Sequence, residues 1–154
     1  MFQLIKARMQ RRRQRPEAVV SNCSDLARLD RLRQYARDPA VRQTADARYR
    51  DLLVGGDASL GVAARVAGVE GCTDAQVLAY VARSAREESV RRAAMERVGS
   101  DRVLMEIALN DPIARLRRRA VALMADPELL QSVAASGHPE DPRIARDAAR
   151  RLRA

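Results

Sequence analysis

The sequence predicts an all-α fold, an α/α solenoid of about four to five short helical hairpins. Three observations predict it: the make-up of the apolar residues, an internal repeat, and the punctuation between helices. Hydrophobic residues are 47% of the 154, enough for a packed core, yet aromatics are only 3%, Trp is absent and Phe2 is the one Phe. Ala, Val and Leu do the filling. Small aliphatic side chains let helices approach closely, Ala is the best helix former, and β-branched and aromatic runs of strand type are missing.

The repeat begins with Val77-Leu78-Ala79-Tyr80-Val81-Ala82, which recurs as Val103-Leu104-Met105-Glu106-Ile107-Ala108 and as Leu129-Leu130-Gln131-Ser132-Val133-Ala134, at offsets of 26. Each copy places apolar residues at i, i+1, i+4 and i+5, one face of a helix about two turns long. A second element follows each copy, with a large residue, Ala and a large residue at i, i+4 and i+8: Val90, Ala94 and Val98; Leu116, Ala120 and Met124; Ile144, Ala148 and Leu152. Upstream, Val41, Ala45 and Tyr49 fit the same template. The small middle residue leaves a notch into which a neighbouring helix can pack.

The punctuation agrees. Asp38-Pro39, Asp111-Pro112, Asp126-Pro127 and Asp141-Pro142 place an N-cap carboxylate before a Pro at the first helical position. Thr73-Asp74 and Ser100-Asp101 cap the other short helices, Thr73 with Gln76 fits a capping box, and Gly55, Gly68, Gly99 and Gly137 stand where helices stop. Helices are therefore expected at 3–15, 25–37, 39–54, 58–68, 74–85, 88–98, 101–109, 112–125, 127–135 and 142–153. Pro16 divides a basic N-terminal helix or arm, 1–16, from a repeat domain, 17–154. Within that domain 55–72, with Gly55, Gly56, Gly61, Gly68 and Gly71, is the irregular stretch, a degenerate repeat or a bend.

Val90-Arg91-Arg92-Ala93-Ala94 through Ile107-Ala108-Leu109-Asn110-Asp111-Pro112 resembles the short HEAT-like repeats of bacterial proteins, in which a V-R-x-A-A helix leads into a short L-x-x-I-A-x-x-D helix. The chain is also similar to the leucine-rich-repeat-variant proteins, with their alternating α and 3₁₀ helices. The likeness covers about residues 25–153 and is clearest from 74 onward. It implies an architecture used for binding, and says little about a particular partner. The period of 26–29 is shorter than the ~40–47 of ordinary HEAT repeats, so one helix of each hairpin must be short. The second resemblance would bring an iron–sulfur cluster, which needs four clustered cysteines. Cys23 and Cys72, 49 apart, are the only two. No cofactor is carried over.

The net charge of +9 is uneven: Lys6, Arg8, Arg11, Arg12, Arg13 and Arg15 put +6 on the first fifteen residues, leaving +3 on the other 139. A pI near 11.0 is thus partly a property of the arm. Lys6 stands alone against 28 Arg, a skew that fits a GC-rich genome. No signal peptide and no run of ~20 apolar residues is visible, so a cytoplasmic protein with two free thiols is expected, without stable membrane insertion.

Catalytic constellations are missing. His138 is the only His, and no further ligands are spaced to make it a zinc site. Cys23 and Cys72 have no paired base, and Asp38, Asp101, Asp111, Asp126 and Asp141 lie at helix starts, where capping accounts for them. No phosphate-binding glycine loop or nucleophile elbow occurs.

The arginines carry the functional reading. Arg42, Arg91 and Arg117 each follow the residue that opens a second-element stripe, and Arg92 and Arg118 form a second row. Such a ladder can grip phosphates or an acidic protein segment, or it can pair internally with the Asp caps of neighbouring repeats. Arg115, Arg117, Arg118 and Arg119 have no local acid, and Arg143, Arg146, Arg150, Arg151 and Arg153 extend the positive surface. In the arm, Phe2, Ile5 and Met9 at i, i+3 and i+7 suit either a basic amphipathic helix or a helix that covers the first repeat.

The expected function is a non-enzymatic scaffold that holds a protein partner with an acidic surface through Arg91, Arg92, Arg117 and Arg118, with Arg115 and Arg119 as further candidates. The alternative is a nucleic-acid binder using the arm residues Lys6, Arg8, Arg11, Arg12, Arg13 and Arg15 with the Arg115–Arg119 cluster. A base-flipping enzyme would need an aromatic-lined pocket, for which Tyr35, Tyr49 and Tyr80 are poor material.

Overall fold

In the computed structural model residues 16–153 are described, and the regular elements among them are ten α-helices. They are α1 (Pro16–Ser21), α2 (Leu26–Tyr35), α3 (Pro39–Val54), α4 (Val62–Gly71), α5 (Ala75–Ser84), α6 (Glu88–Met95), α7 (Asp101–Asn110), α8 (Ala114–Leu123), α9 (Pro127–Ser136) and α10 (Arg143–Arg151). The helix expected at 3–15, with its basic residues, lies outside the described residues.

Three of the helices start on a side-chain cap. Asp25, Asp74 and Asp126 are N-caps whose carboxylates accept from backbone N–H groups of the first turn, and Pro127 follows Asp126 at the first helical position. Gly137 ends α9 with φ 61, a left-handed conformation that favours Gly.

Five local expectations are corrected. The cap of α5 is Asp74, not Thr73. Asp111 and Asp141 stand three and two residues before the helices that follow, and each accepts from the N–H two residues on, Ile113 at 2.8 Å and Arg143 at 3.3 Å. Asp101 opens α7, but its carboxylate accepts from the N–H groups of Ala125 and Asp126, one repeat later. Gly68 lies inside α4, and α4 starts four residues later than expected, so 55–72 holds an ordinary ten-residue helix. Leu152, expected to complete a buried stripe, is exposed just beyond α10.

The described chain divides into two compact units. The first holds α1, α2 and α3 as far as Leu52, with Gly56–Leu60. Its buried residues are Val20, Leu29, Val41, Ala45, Tyr49 and Leu52. The Arg33 guanidinium sits over the Tyr49 ring at 4.8 Å, a contact that suits a planar cation. Arg48 binds the loop after α3 through Asp57 and donates from Nε to the Cys23 carbonyl at 2.9 Å. Hydrogen bonds from the Ser59 backbone and from Arg48 hold the Asp57 carboxyl at about 2.

The second unit, Leu53–Gly55 and Gly61 onward, contains α4–α10. Each of α5, α7 and α9 packs against the helix that follows it. The even-numbered helices α4, α6, α8 and α10 pack in succession, and so do α5, α7 and α9. The sequence pattern explains both sets of contacts. Val77, Leu78, Val81 and Ala82 of α5 and Val103, Leu104, Ile107 and Ala108 of α7 are buried, as are Leu130 and Val133 of α9. Ala94, Ala120 and Ala148, the small middle residues of the second elements, are fully buried and let successive even helices approach.

Candidate partner-binding face

The site is built on the start of each even helix of the second unit. Arg91 is the fourth residue of α6 and is buried at 8% exposure. Its Nε and Nη2 fork onto the two oxygens of Asp111 at 2.9 and 3.3 Å, while Nη1 donates to the carbonyls of Ala85 and Arg86 at 2.8 and 3.1 Å. Ala85 is the C-cap of α5, so the guanidinium satisfies a carbonyl at a helix end and meets the negative end of that helix's dipole. Arg117 repeats the geometry one repeat later. Its Nη1 donates to the carbonyls of Asp111 and Pro112 at 2.8 and 3.2 Å, and its Nη2 to Asp141 at 2.9 Å. Arg42, in the first unit, makes the same two carbonyl bonds, to Ala36 and Arg37 at 2.7 and 3.1 Å.

Arg65 belongs to the same series. It stands 26 residues before Arg91, is buried in α4, and bonds Glu87 at 2.8 Å. The Arg91–Asp111 and Arg117–Asp141 pairs are buried, and with Arg65–Glu87, whose glutamate is half-buried, they form a line of ion pairs through the second unit. A hydrogen bond from Arg117, helped by the Arg143 N–H and by the charges of Arg117 and Arg118, lowers the Asp141 carboxyl despite the opposing effect of desolvation.

A second set of arginines also serves the fold. Arg48, Arg97 and Arg151 donate to the carbonyls of Cys23, Cys72 and Met124, each 25 to 27 residues earlier. Sequence reasoning missed this set because Leu123 interrupts it in the α8 repeat. The two cysteines are matched members of the repeat and are not joined. His138 accepts the Glu140 N–H at Nδ1 in the turn before α10.

The candidate arginines therefore part company. Arg91 and Arg117 are buried and engaged within the chain, whereas Arg92, Arg115, Arg118 and Arg119 are exposed. Arg115 is bound to Glu88, which lowers the glutamate and raises the guanidinium, and Arg119 reaches Glu96 at 3.2 Å. With Arg92, Ser89 and Leu116 these residues line a groove of about 530 Å³ between α6 and α8. Arg92 and Arg118 stand 26 apart, and Arg146 of α10 takes the same position 28 further on. None of the three is in an ion pair among the described residues. Lys6, Arg8, Arg11, Arg12, Arg13 and Arg15 fall outside the described residues.

Among the described residues no group of three or more His, Cys, Asp or Glu could hold a metal ion, and no helix is long and apolar enough to cross a membrane. No protein-family model, curated protein or solved structure matches the chain.

Two outcomes follow from the buried line. Asp111→Ala strands the Arg91 guanidinium without its carboxylate, and urea unfolding is expected to show a loss of about 3–5 kcal/mol. The Asp141 pKa is lower in the folded than in the unfolded chain, so its contribution is present above 3.8 and is lost as pH falls through the lowered value. The stability advantage of the wild type over Asp141→Asn, followed by urea unfolding across an acid series, should shrink as pH falls below 3.8 and hold steady at neutral pH.

Proposed function

We propose that the chain is a non-enzymatic cytoplasmic scaffold, a solenoid of short HEAT-like hairpins that binds an acidic segment of a partner protein across α6, α8 and α10. One observation carries this reading. The repeat places two arginines side by side and uses them differently: Arg91 and Arg117 are enclosed by the fold, while Arg92 and Arg118 face outward, with Arg146 at the matching position on α10. Packed helices lie about 8–10 Å apart, so the outer row offers a cation at about that interval. An extended chain advances about 3.3 Å per residue, and acidic residues about three apart would meet successive rungs.

The groove between α6 and α8 supports the same use. Its Arg115–Glu88 and Arg119–Glu96 pairs are solvent-exposed on the arginine side. Exposed ion pairs contribute little, so these arginines can exchange an internal carboxylate for one on a partner at small cost. The same pairing reduces the free charge of the Arg115–Arg119 cluster, on which a nucleic-acid reading depends.

Fluorescence polarisation with a labelled peptide of about twelve residues carrying Glu at every third position tests this, with a DNA duplex of about 20 base pairs measured alongside over a salt series. The peptide is expected to bind, and Arg92→Gln with Arg118→Gln to weaken it about tenfold, while removal of residues 1–15 has little effect. Tighter binding of the duplex, with a steep salt slope reduced by that removal, would overturn the protein-binding reading.

A further inference from the structure

At the α8–α10 end of the same face the balance of charge changes. Arg118 of α8 and Arg143, Arg146 and Arg150 of α10 line a pocket of about 230 Å³, with Asp147 as the only acid in its wall among the described residues. Arg143, Arg146 and Arg150 follow one another at i, i+3 and i+7, a single stripe about 10 Å long. Arg150 approaches Asp147 at 3.8 Å, a long and exposed contact. Four arginines and one carboxylate thus line this pocket, whereas the neighbouring α6–α8 groove matches three arginines with Glu88 and Glu96. The lining of this pocket therefore carries a larger excess of positive charge than the lining of that groove.

We infer that this pocket is a receptor for a phosphate monoester on a phosphorylated side chain of the partner protein, an inference that rests on the scaffold reading. The chemistry of the wall selects the ligand. Each guanidinium is a planar fork of N–H donors, and four arginines line this one pocket, offering more donors than the two oxygens of a carboxylate can accept from. A phosphate monoester offers three acceptor oxygens and a charge near −2, and takes paired bonds from several arginines. Nucleic acid fits the wall less well. Among the described residues no aromatic side chain lines the pocket to stack on a base, and in the adjoining groove Arg115 and Arg119 are already paired with Glu88 and Glu96.

The test compares three labelled peptides on the full chain: the Glu-containing peptide with one central phosphoserine, the same peptide with Glu at that position, and the same peptide with Ser. A DNA duplex of matched charge is measured alongside. The phosphoserine peptide is expected to bind about tenfold more tightly than the Glu version. Arg143→Gln with Arg150→Gln should reduce that ratio to about twofold or less, while Arg86→Gln with Arg102→Gln, which removes the same charge elsewhere, leaves it unchanged. Circular dichroism and urea unfolding of both double variants confirm that exposed positions were altered without loss of fold. Equal affinity for phosphoserine and Glu would overturn the phosphate site and leave the scaffold reading standing. Failure of all three peptides to bind would overturn both. Binding of the duplex more tightly than the phosphopeptide, with the same dependence on Arg143 and Arg150, would reassign the pocket to nucleic acid.

Discussion

The second unit depends on a buried link between an arginine at the start of one even helix and an acid that precedes the next. Arg91 reaches forward to Asp111, and Arg117 reaches back to the carbonyl of that same Asp111 and forward to Asp141. Each guanidinium also holds the end of the helix before it. Three elements are thereby tied at one point: the helix that has just ended, the helix that carries the arginine, and the turn that starts the next pair. The apolar core supplies most of the cohesion, since burying a Val, Leu or Ile side chain contributes about 1.5–3 kcal/mol and the core contains many. The ladder supplies alignment. A buried ion pair adds little over an apolar replacement of equal volume, but half of one is costly, so the arrangement penalises any packing that slips the carboxylate away from its arginine.

This division of labour also sets the surface. Once the first arginine of each repeat is turned inward, the next residue on the helix is turned away from it, and the adjacent arginine projects to solvent at the repeat interval. Arg92 and Arg118 are placed by Arg91 and Arg117. On α10 the inner position is Ala145, so the buried line ends at Asp141, while the outer position remains Arg146. The loss of an inner arginine and the clustering of Arg143, Arg146 and Arg150 fall on the same helix, where the proposed phosphate pocket lies.

Much of the helical pattern was legible in the sequence because it is periodic: apart from Leu152, the second-element stripes from α6 onward are buried where the repeat puts them. The α4 segment was not, because its five neighbouring glycines suggested irregularity and its apolar residues do not repeat the large–Ala–large stripe. Arg65 was the available signal, since Arg65, Arg91 and Arg117 are evenly spaced by 26. The roles of Asp111 and Asp141 were half legible. Position before a Pro marked them as helix N-caps, but a carboxylate that accepts a backbone N–H can accept an arginine as well, and the packing of successive pairs brings the two together. Arg115 and Arg119 looked free of acids because their partners, Glu88 and Glu96, are 27 and 23 residues earlier, close in space through helix packing and distant along the chain.

The central claim is that two adjacent arginines have separate duties, the inner one aligning the fold and the outer one serving the surface. Equilibrium urea unfolding of Arg91→Met and Arg92→Met, measured side by side, tests it most directly. The account predicts that Arg91→Met, which leaves Asp111 buried without its cation, costs about 3 kcal/mol, whereas Arg92→Met changes stability by less than about 0.5 kcal/mol. Equal effects of the two substitutions, or a larger loss from Arg92→Met, would contradict it.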